Sequence, residues 1–255
     1  MLSSNLRDAI RSGKPVNGCT ISCFAPEQVE VLGLLGYDFA FLDSEHWPLS
    51  DRELSSLITA GDAAGIASLV RIRENSPSAI QRVMDSGAAG LIVPAVSSAK
   101  LAQEAISSVK YQPQGNRGLS SVRASGYGIK MGLAEYIKYA NDKSIVVCQM
   151  ENMEGVRNID EIIGIDSIDA IFIGTTDLSN SLGFAGQYNH EKVSEVVQVI
   201  ENKAKNAGKT LASMVRGDED PKQYIAKGYC MLVASGMSLF VGGAKKYINA
   251  MKNKQ

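Results

Sequence analysis

No run of 18 or more apolar residues occurs in this 255-residue chain, which argues against a membrane-spanning helix. The N-terminal segment MLSSNLRDAIRSGKPVNG lacks the apolar core of a secretory leader and reads as an amphipathic helix. Cysteine is scarce: Cys19, Cys23, Cys148 and Cys230 form no CxxC pair, and three of them sit inside apolar runs. A disulfide framework is not expected at that density, and buried reduced thiols in a cytoplasmic protein are. Charge of either sign is not in excess. Lys plus Arg number 26 and Asp plus Glu 27, so nothing marks a duplex-coating protein and no nucleic-acid partner is expected. There is no low-complexity tract, proline-rich linker or repeat, so no internal boundary is placed and residues 1–255 are read as one domain. What is present is a 45% apolar chain with 21% charge, enough for a sizeable core.

Eight short β-rich apolar runs recur, each followed by a helical pattern. They are VNGCTISC from Val16, FAFLDSE from Phe39, ASLVRIR from Ala67, GLIVPAV from Gly90, VVCQME from Val146, AIFIGTTD from Ala170, TLASMVR from Thr210 and CMLVASGM from Cys230. Their starts are separated by 23, 28, 23, 56, 24, 40 and 20 residues. A strand-loop-helix-loop unit needs roughly 20 to 30 residues, so five gaps hold one unit each. Helices between them carry punctuation. Ser50 with Glu53 makes a capping box, and Gly36 and Gly208 close their helices. The runs are continuously apolar rather than alternating, as a parallel sheet under a coat of helices requires. Eight such units predict an α/β fold, the (β/α)8 TIM barrel. A doubly wound open sheet is the alternative, but no GxGxxG follows the first run. The two long gaps hold loop chemistry, YQPQGNRGLSSVRASGYG and LSNSLGFAGQYN.

In such a barrel the chemistry lies at the C-terminal ends of the strands. Polar residues collect there: Asp43-Ser44-Glu45-His46, Arg71-Ile72-Arg73-Glu74, Gln149-Met150-Glu151 and Thr175-Thr176-Asp177. A charge ending an apolar run needs solvent, a partner or a metal. Glu151 and Asp177 come from adjacent strands and could share one hard divalent cation with the Gln149 amide oxygen nearby, which suits Mg²⁺ or Mn²⁺. The other reading is that these carboxylates cap the following helices. His46 is one of two histidines. Asp43 three residues upstream, or Asp85 farther along, would fix its tautomer for general base work. His190 reads as a solvated helix cap. Arg71 could stabilise an oxyanion or simply pair with a carboxylate. A phosphate cradle is not evident in the last loops.

These segments resemble the HpcH/HpaI family of metal-dependent class II pyruvate aldolases, from about Gly18 to Val241. FAFLDSEHWP is similar to the family's D-x-E-H strand end, SLVRIRE to its strand-three arginine, and RVMDSGAAGLIVPAV to its helix-to-strand signature. YQPQGNRGLSSVRASGYG resembles its Y-P-P-x-G-x-R-G loop, VVCQMENMEGVRNIDEI its Q-x-E metal strand, and FIGTTDLSNSLG its F-I-G-x-x-D-L-S strand. The resemblance implies retro-aldol cleavage of a 4-hydroxy-2-oxo acid to pyruvate and an aldehyde. It implies that Glu151 and Asp177 bind Mg²⁺ or Mn²⁺, or Co²⁺, and that Arg71 stabilises the enolate. It further implies that His46, oriented by Asp43, moves protons, that Gln149 lines the pocket, and that the backbone at Thr175 and Thr176 faces the substrate carboxylate. Asp85 matches a position that family members present across a subunit contact. Relatives form hexamers built as trimers of dimers, so a homo-oligomer is expected, with the C-terminal helix either packing on a neighbour or closing its own barrel.

The chemistry agrees with this. A divalent Lewis acid supplies a sink for the enolate without a covalent intermediate. The rival sink, a Schiff-base lysine, needs a lysine in the pocket, and none of the eight runs contains one. Departures from the family pattern fall on pocket walls. Thr20 stands where tryptophan is common, Trp47-Pro48-Leu49 follows Glu45-His46 in place of the sugar-acid aldolases' A-P-N, and Thr175-Thr176 precedes Asp177 in place of a proline-led pair. They leave the pyruvate half intact and leave the aldehyde half open, so acceptance of several short aldehydes is expected. Two other readings stand beside the aldolase: a lyase of the citrate lyase β-chain or malyl-CoA lyase type, for which no basic coenzyme A loop is evident, and a non-catalytic binding barrel.

Overall fold

A computed structural model describes residues 3–217 and 219–252. The first two and last three residues of the two terminal helical patterns lie outside the described residues. The strands are β1 (Val16–Ile21), β2 (Phe39–Asp43), β3 (Ala67–Arg71), β4 (Gly90–Val93), β5 (Ile145–Met150), β6 (Ala170–Ile173), β7 (Thr210–Val215) and β8 (Tyr229–Ala234). All pair in parallel and in chain order, and β8 closes on β1 from Val16 opposite Met231 to Cys19 opposite Ala234. This is the expected (β/α)8 barrel, and all eight apolar runs supply its strands.

Alternation along each strand builds two cores. Phe39, Phe41, Leu69, Ile92, Val147, Phe172, Met231 and Val233 point inward and fill the barrel. Phe41 and Phe172 meet across it at 6.1 Å between ring centroids. The residues between them, such as Leu42, Val70, Leu91 and Val146, point outward under the helices. Helix α1 (Ser3–Arg11) lies at the N-terminal end, where Ile10 is fully buried and Arg7 pairs with Asp169 at 3.0 Å.

The covering helices are α2 (Pro26–Leu34), α3 (Asp51–Ala64), α4 (Pro77–Asp85), α5 (Ala99–Val109), α6 (Leu133–Lys143), α7 (Met153–Arg157), α8 (Ile159–Ile163), α9 (Thr175–Ser181), α10 (Glu191–Asn206), α11 (Pro221–Ala226) and α12 (Gly236–Lys252). The capping box opens α3: the Ser50 hydroxyl accepts from the Glu53 N–H, and the Glu53 carboxylate accepts from the Ser50 N–H. His190 caps α10, its Nδ1 accepting from the Lys192 N–H at 3.3 Å. The loop of the long fourth gap contains a 3₁₀ turn over Arg123–Gly128.

Two readings of strand ends need correction. β6 stops at Ile173, so Thr175, Thr176 and Asp177 form the first turn of α9. Gly174 is the turning point, because a side chain there would collide with Glu151. β2 stops at Asp43, leaving Glu45 and His46 on the loop beyond. All four cysteines are free, with Cys19 and Cys148 buried and, unlike the expectation for its run, Cys23 exposed. No helix among the described residues is long and apolar enough to cross a membrane.

Candidate active site

The inward period-two pattern of the barrel runs on to its C-terminal rim. Phe41 is followed by Asp43, Leu69 by Arg71, and Val147 by Gln149 and then Glu151. The strands that stack apolar layers inside therefore end by aiming polar groups at the mouth.

Asp43 and Arg71 are neighbours in the β2–β3 register and form a buried two-pronged ion pair. Arg71 Nε donates to Asp43 Oδ1 at 3.0 Å and Nη2 to Oδ2 at 2.6 Å. Asp43 Oδ1 also accepts the backbone N–H groups of Glu45 (3.1 Å) and His46 (3.4 Å). The Ser44 hydroxyl donates to the Arg71 carbonyl at 2.7 Å, and the guanidinium stands 5.5 Å over the Phe41 ring. Burial works against the Arg71 charge, but the hydrogen bonds and charge of Asp43 outweigh it and hold the guanidinium above its ordinary pKa.

Glu45, which the sequence reading left without a role, lies between this pair and the metal candidates. Its Oε2 is 3.2 Å from Arg71 Nε and 3.6 Å from His46 Nε2. The Arg71 Nε–H already points at Asp43, so Glu45 Oε2 feels the charge but is buried without a hydrogen bond. Burial raises the Glu45 carboxyl above the usual range, against the Arg71 and His46 charges, with Asp43 and Asp177 adding to the rise. The imidazole thus faces Glu45. Asp43 holds the backbone of the His46 loop, not the ring, which corrects the expected Asp43–imidazole contact. The His46 side chain is half-exposed at the mouth.

Glu151 follows β5 and is buried. Its Oε1 accepts the Ala95 N–H at 2.6 Å, and its Oε2 accepts from Gln149 Nε2. Ala95 takes φ +50° to aim that N–H, a left-handed conformation that costs about 1–2 kcal/mol for a residue with a side chain. Burial pushes the Glu151 carboxyl up to about 7; the Ala95 hydrogen bond opposes this, and the charges of Glu45 and Asp177 add to it. Gly174 closes over the pair. A Cβ there would lie 2.7 Å from Glu151 Oε2 and 3.0 Å from Gln149 Nε2.

The donor set fits a hard divalent cation. Glu151, Asp177 and the buried, unpartnered Gln149 Oε1 are oxygen donors that leave open positions for water and substrate. Burial raises both Glu45 and Glu151, and the charge of Asp177 adds to each rise. Among the described residues no three His, Cys, Asp or Glu side chains form a ready-made cage, so any cation would be held by two carboxylates and an open shell.

Thr175 and Thr176 lie on the same rim, and the Thr175 hydroxyl accepts from Arg216. Arg216 follows β7 and stacks 3.5 Å over the Tyr188 ring. The sequence reading missed it, although it ends the run TLASMVR in the same manner as Arg71 ends SLVR. Asp85 is not brought to this site. It ends α4, which runs antiparallel to the strands, so it lies at the opposite rim and pairs with the buried Arg117 at 2.7 Å. It cannot orient His46 within one chain.

The arrangement matches known proteins over nearly its full length. The family described as HpcH/HpaI aldolase/citrate lyase matches residues 18–241. A 5-keto-4-deoxy-D-glucarate aldolase of Shigella dysenteriae serotype 1 is 32% identical over 237 residues, covering 92% of this chain and 91% of its own. Among solved structures, an HpcH/HpaI aldolase/citrate lyase family protein from Burkholderia cenocepacia J2315 superposes with a TM-score of 0.92 at 26% identity, over 98% of this chain and 99% of that one. A citrate synthase, SbnG, superposes with a TM-score of 0.88 at 30% identity over 100% of this chain and 99% of its own. With a match of this extent, the protein is an enzyme of the aldolase type and belongs to the HpcH/HpaI aldolase/citrate lyase family.

Proposed function

We propose that the barrel mouth binds a divalent cation, Mg²⁺ or Mn²⁺ or Co²⁺, between Glu151 and Asp177, and cleaves a 4-hydroxy-2-oxo acid to pyruvate and an aldehyde. The observation that carries this is the meeting at the mouth of buried Glu151, the charge of Asp177 and the unpartnered Gln149 Oε1 beside the Asp43-clamped Arg71. When bound, the cation draws electron density from the 2-oxo group and steadies the enolate that cleavage leaves.

The chain's own groups do the rest. Arg71, clamped by Asp43, presents a fixed positive charge to the developing enolate oxygen; preorganised in this way, it need not rearrange as charge forms. His46 sits at the open edge beside Glu45, where its imidazole takes the proton of the C4 hydroxyl. Gln149 lines the pocket floor and holds Glu151 in place. The backbone at Thr175 and Thr176 faces the substrate carboxylate. Arg216, at the far side of Thr175, borders the aldehyde half. Asp85 acts, on this reading, only toward a neighbouring copy, in a homo-oligomer built as a hexamer. Four free cysteines support a cytoplasmic setting.

A second reading uses the same rim in the condensing direction. The citrate synthase at 30% identity favours it, because joining an acetyl donor to oxaloacetate also passes through an enolate, that of the acetyl donor, whose oxygen needs a positive partner. One experiment separates the two. Strip the protein with EDTA, restore Mg²⁺, Mn²⁺ or Co²⁺ in turn, and follow pyruvate release from a panel of 4-hydroxy-2-oxo acids, with Glu151→Ala alongside. Metal-dependent cleavage that Glu151→Ala abolishes supports the aldolase. Full activity in EDTA removes the cation from the reading. Silence on the panel, with citrate formed from oxaloacetate and an acetyl donor, gives the second reading.

A further inference from the structure

The barrel mouth carries two strand-end arginines in opposite electrical states. Arg71 ends β3 and Arg216 follows β7, and in a closed ring of eight strands these two positions stand opposite each other. Arg71 is neutralised by the two-pronged contact with Asp43, so it suits a charge that appears only during reaction. Arg216 is not neutralised. Among the described residues its guanidinium has one hydrogen-bond acceptor, the Thr175 hydroxyl, and no ion-pair partner.

The charge is nevertheless held in place. The Tyr188 ring lies 3.5 Å from the guanidinium, the Thr175 hydroxyl takes one edge of it, and Glu219 Oε2 accepts the Arg216 backbone N–H at 2.9 Å. The same Glu219 oxygen accepts the Tyr224 hydroxyl at 2.7 Å, so this carboxylate fixes the loop and leaves the guanidinium unpaired. A guanidinium held this way is a preformed fork for a carboxylate.

The space beside it is open. A cavity of about 580 Å³ is lined by Thr175, Tyr188 and Arg216 and continues between α10 and α11. Thr175 joins it to the candidate active site, because the same first turn of α9 carries Asp177. Its other charged walls are Glu191, Glu195, Glu201 and Glu219, with Lys227 opposing them. That balance suits one singly charged group at Arg216 and works against a doubly charged phosphate. β8 and β1, which complete this side of the rim, end in Ala234-Ser235 and Ile21-Ser22-Cys23 and supply no charge.

We propose that Arg216 is a specificity-determining residue that holds a second carboxylate, at the far end of the aldehyde half of the substrate. The preferred substrate is then a dicarboxylic 4-hydroxy-2-oxo acid, cleaved to pyruvate and an aldehyde that carries a carboxylate. This rests on the aldolase reading above, which puts the pyruvate half at Glu151, Asp177 and Arg71. A permanent charge is bound equally before and during reaction, so Arg216 acts on affinity and not on the chemical step.

The test measures, by titration calorimetry with Mn²⁺ present, the binding of two 2-oxo acids of equal length. 2-Oxoglutarate ends in a carboxylate and 2-oxopentanoate in a methyl group; neither has the 4-hydroxyl that cleavage needs. The wild type is expected to prefer 2-oxoglutarate by about 10–100-fold, the worth of one charged hydrogen-bonded contact, and Arg216→Gln to bring that ratio within about twofold. Arg216→Lys keeps the charge but loses the fork and the stacking on Tyr188, and is expected to retain part of the preference. If Arg216→Gln fails a fold check by circular dichroism, Tyr188→Leu replaces it and is expected to lower the ratio by removing the support under the charge. A wild type that binds both probes alike, or neither, overturns the proposal. So does an Arg216→Gln protein that weakens both by one factor and keeps the ratio, since Arg216 would then serve the carboxylate common to both. Pyruvate release from a dicarboxylic 4-hydroxy-2-oxo acid is followed separately. A wild type that keeps the preference but releases no pyruvate removes the aldolase reading and leaves Arg216 in its role. One that releases pyruvate but shows no preference removes the role of Arg216 alone.

Discussion

Asp43→Asn tests whether Arg71 is held as described. The substitution keeps the shape of Asp43 but halves its acceptors. Asp43 receives four donors: Arg71 Nε and Nη2, and the N–H groups of Glu45 and His46. An amide must turn its NH₂ toward some of them, and Arg71 is left as a buried cation. Breaking one partner of a buried pair costs about 3–5 kcal/mol. Glu45 Oε2, 3.2 Å from Arg71 Nε, takes up part of the charge, so we place the loss at about 3 kcal/mol, the low end of that range. For a chain of this size that is a fall of about 6–12 °C in melting temperature. Calorimetry reads the stability and pyruvate release reads the chemistry. The double variant Asp43→Asn with Arg71→Met removes the stranded cation and recovers most of the stability but none of the activity. If Asp43→Asn melts within about 2 °C of wild type, or if Arg71→Met added to it lowers stability further, the clamp is not what orders this rim.

Three more outcomes follow from the same rim and its opposite. Gly174→Ala places a Cβ 2.7 Å from Glu151 Oε2 and 2.8 Å from Glu151 Cβ, so Mn²⁺ affinity by titration calorimetry is expected to fall about 10–100-fold, as for a displaced ligand, with a stability loss of about 1–3 kcal/mol from overpacking; unchanged affinity refutes the role of Glu151. Without added metal, Glu151 binds its proton up to about pH 7 when folded, against 4.5 for the ordinary group. The folded state then holds the extra proton, so stability falls as pH rises between those values, and Glu151→Gln flattens that slope in urea melts run across the window; a variant that keeps the slope counts against the burial argument. Asp85→Asn leaves the buried Arg117, whose Nε and Nη1 already lack partners, without its carboxylate, and is expected to cost about 3 kcal/mol in thermal melts; no shift would mean that Arg117 has another anchor.

The barrel was legible because its signal is periodic. Each strand is a short apolar run buried on both faces, and the spacing of the runs leaves room for one helix apiece. The rim was legible for a related reason. Where an apolar run ends in Asp43, Arg71 or Gln149–Glu151, period two already says that the charge points inward at the mouth. What the sequence hid was direction in space. Asp85 looked like a partner for His46 because separation along the chain says nothing about which rim a helix end reaches; α4 runs antiparallel to the strands, so its last residue lies at the opposite rim and pairs with Arg117. Thr175 to Asp177 read as strand because TT continues a β-rich run, yet Gly174 must stay free of a side chain for Glu151 to fit, and the chain turns into α9 there. Glu45 was quoted in the motif but given no work, since its part depends on Arg71 Nε facing Asp43 instead of Glu45, an orientation that no residue pattern encodes. The C-terminal helix is the sharpest case. Its apolar residues, Phe240 and Tyr247 among them, are equally consistent in sequence with covering its own barrel or another, and no pattern shows that Ser235 alone joins β8 to α12 or that no described residue of α12 is buried.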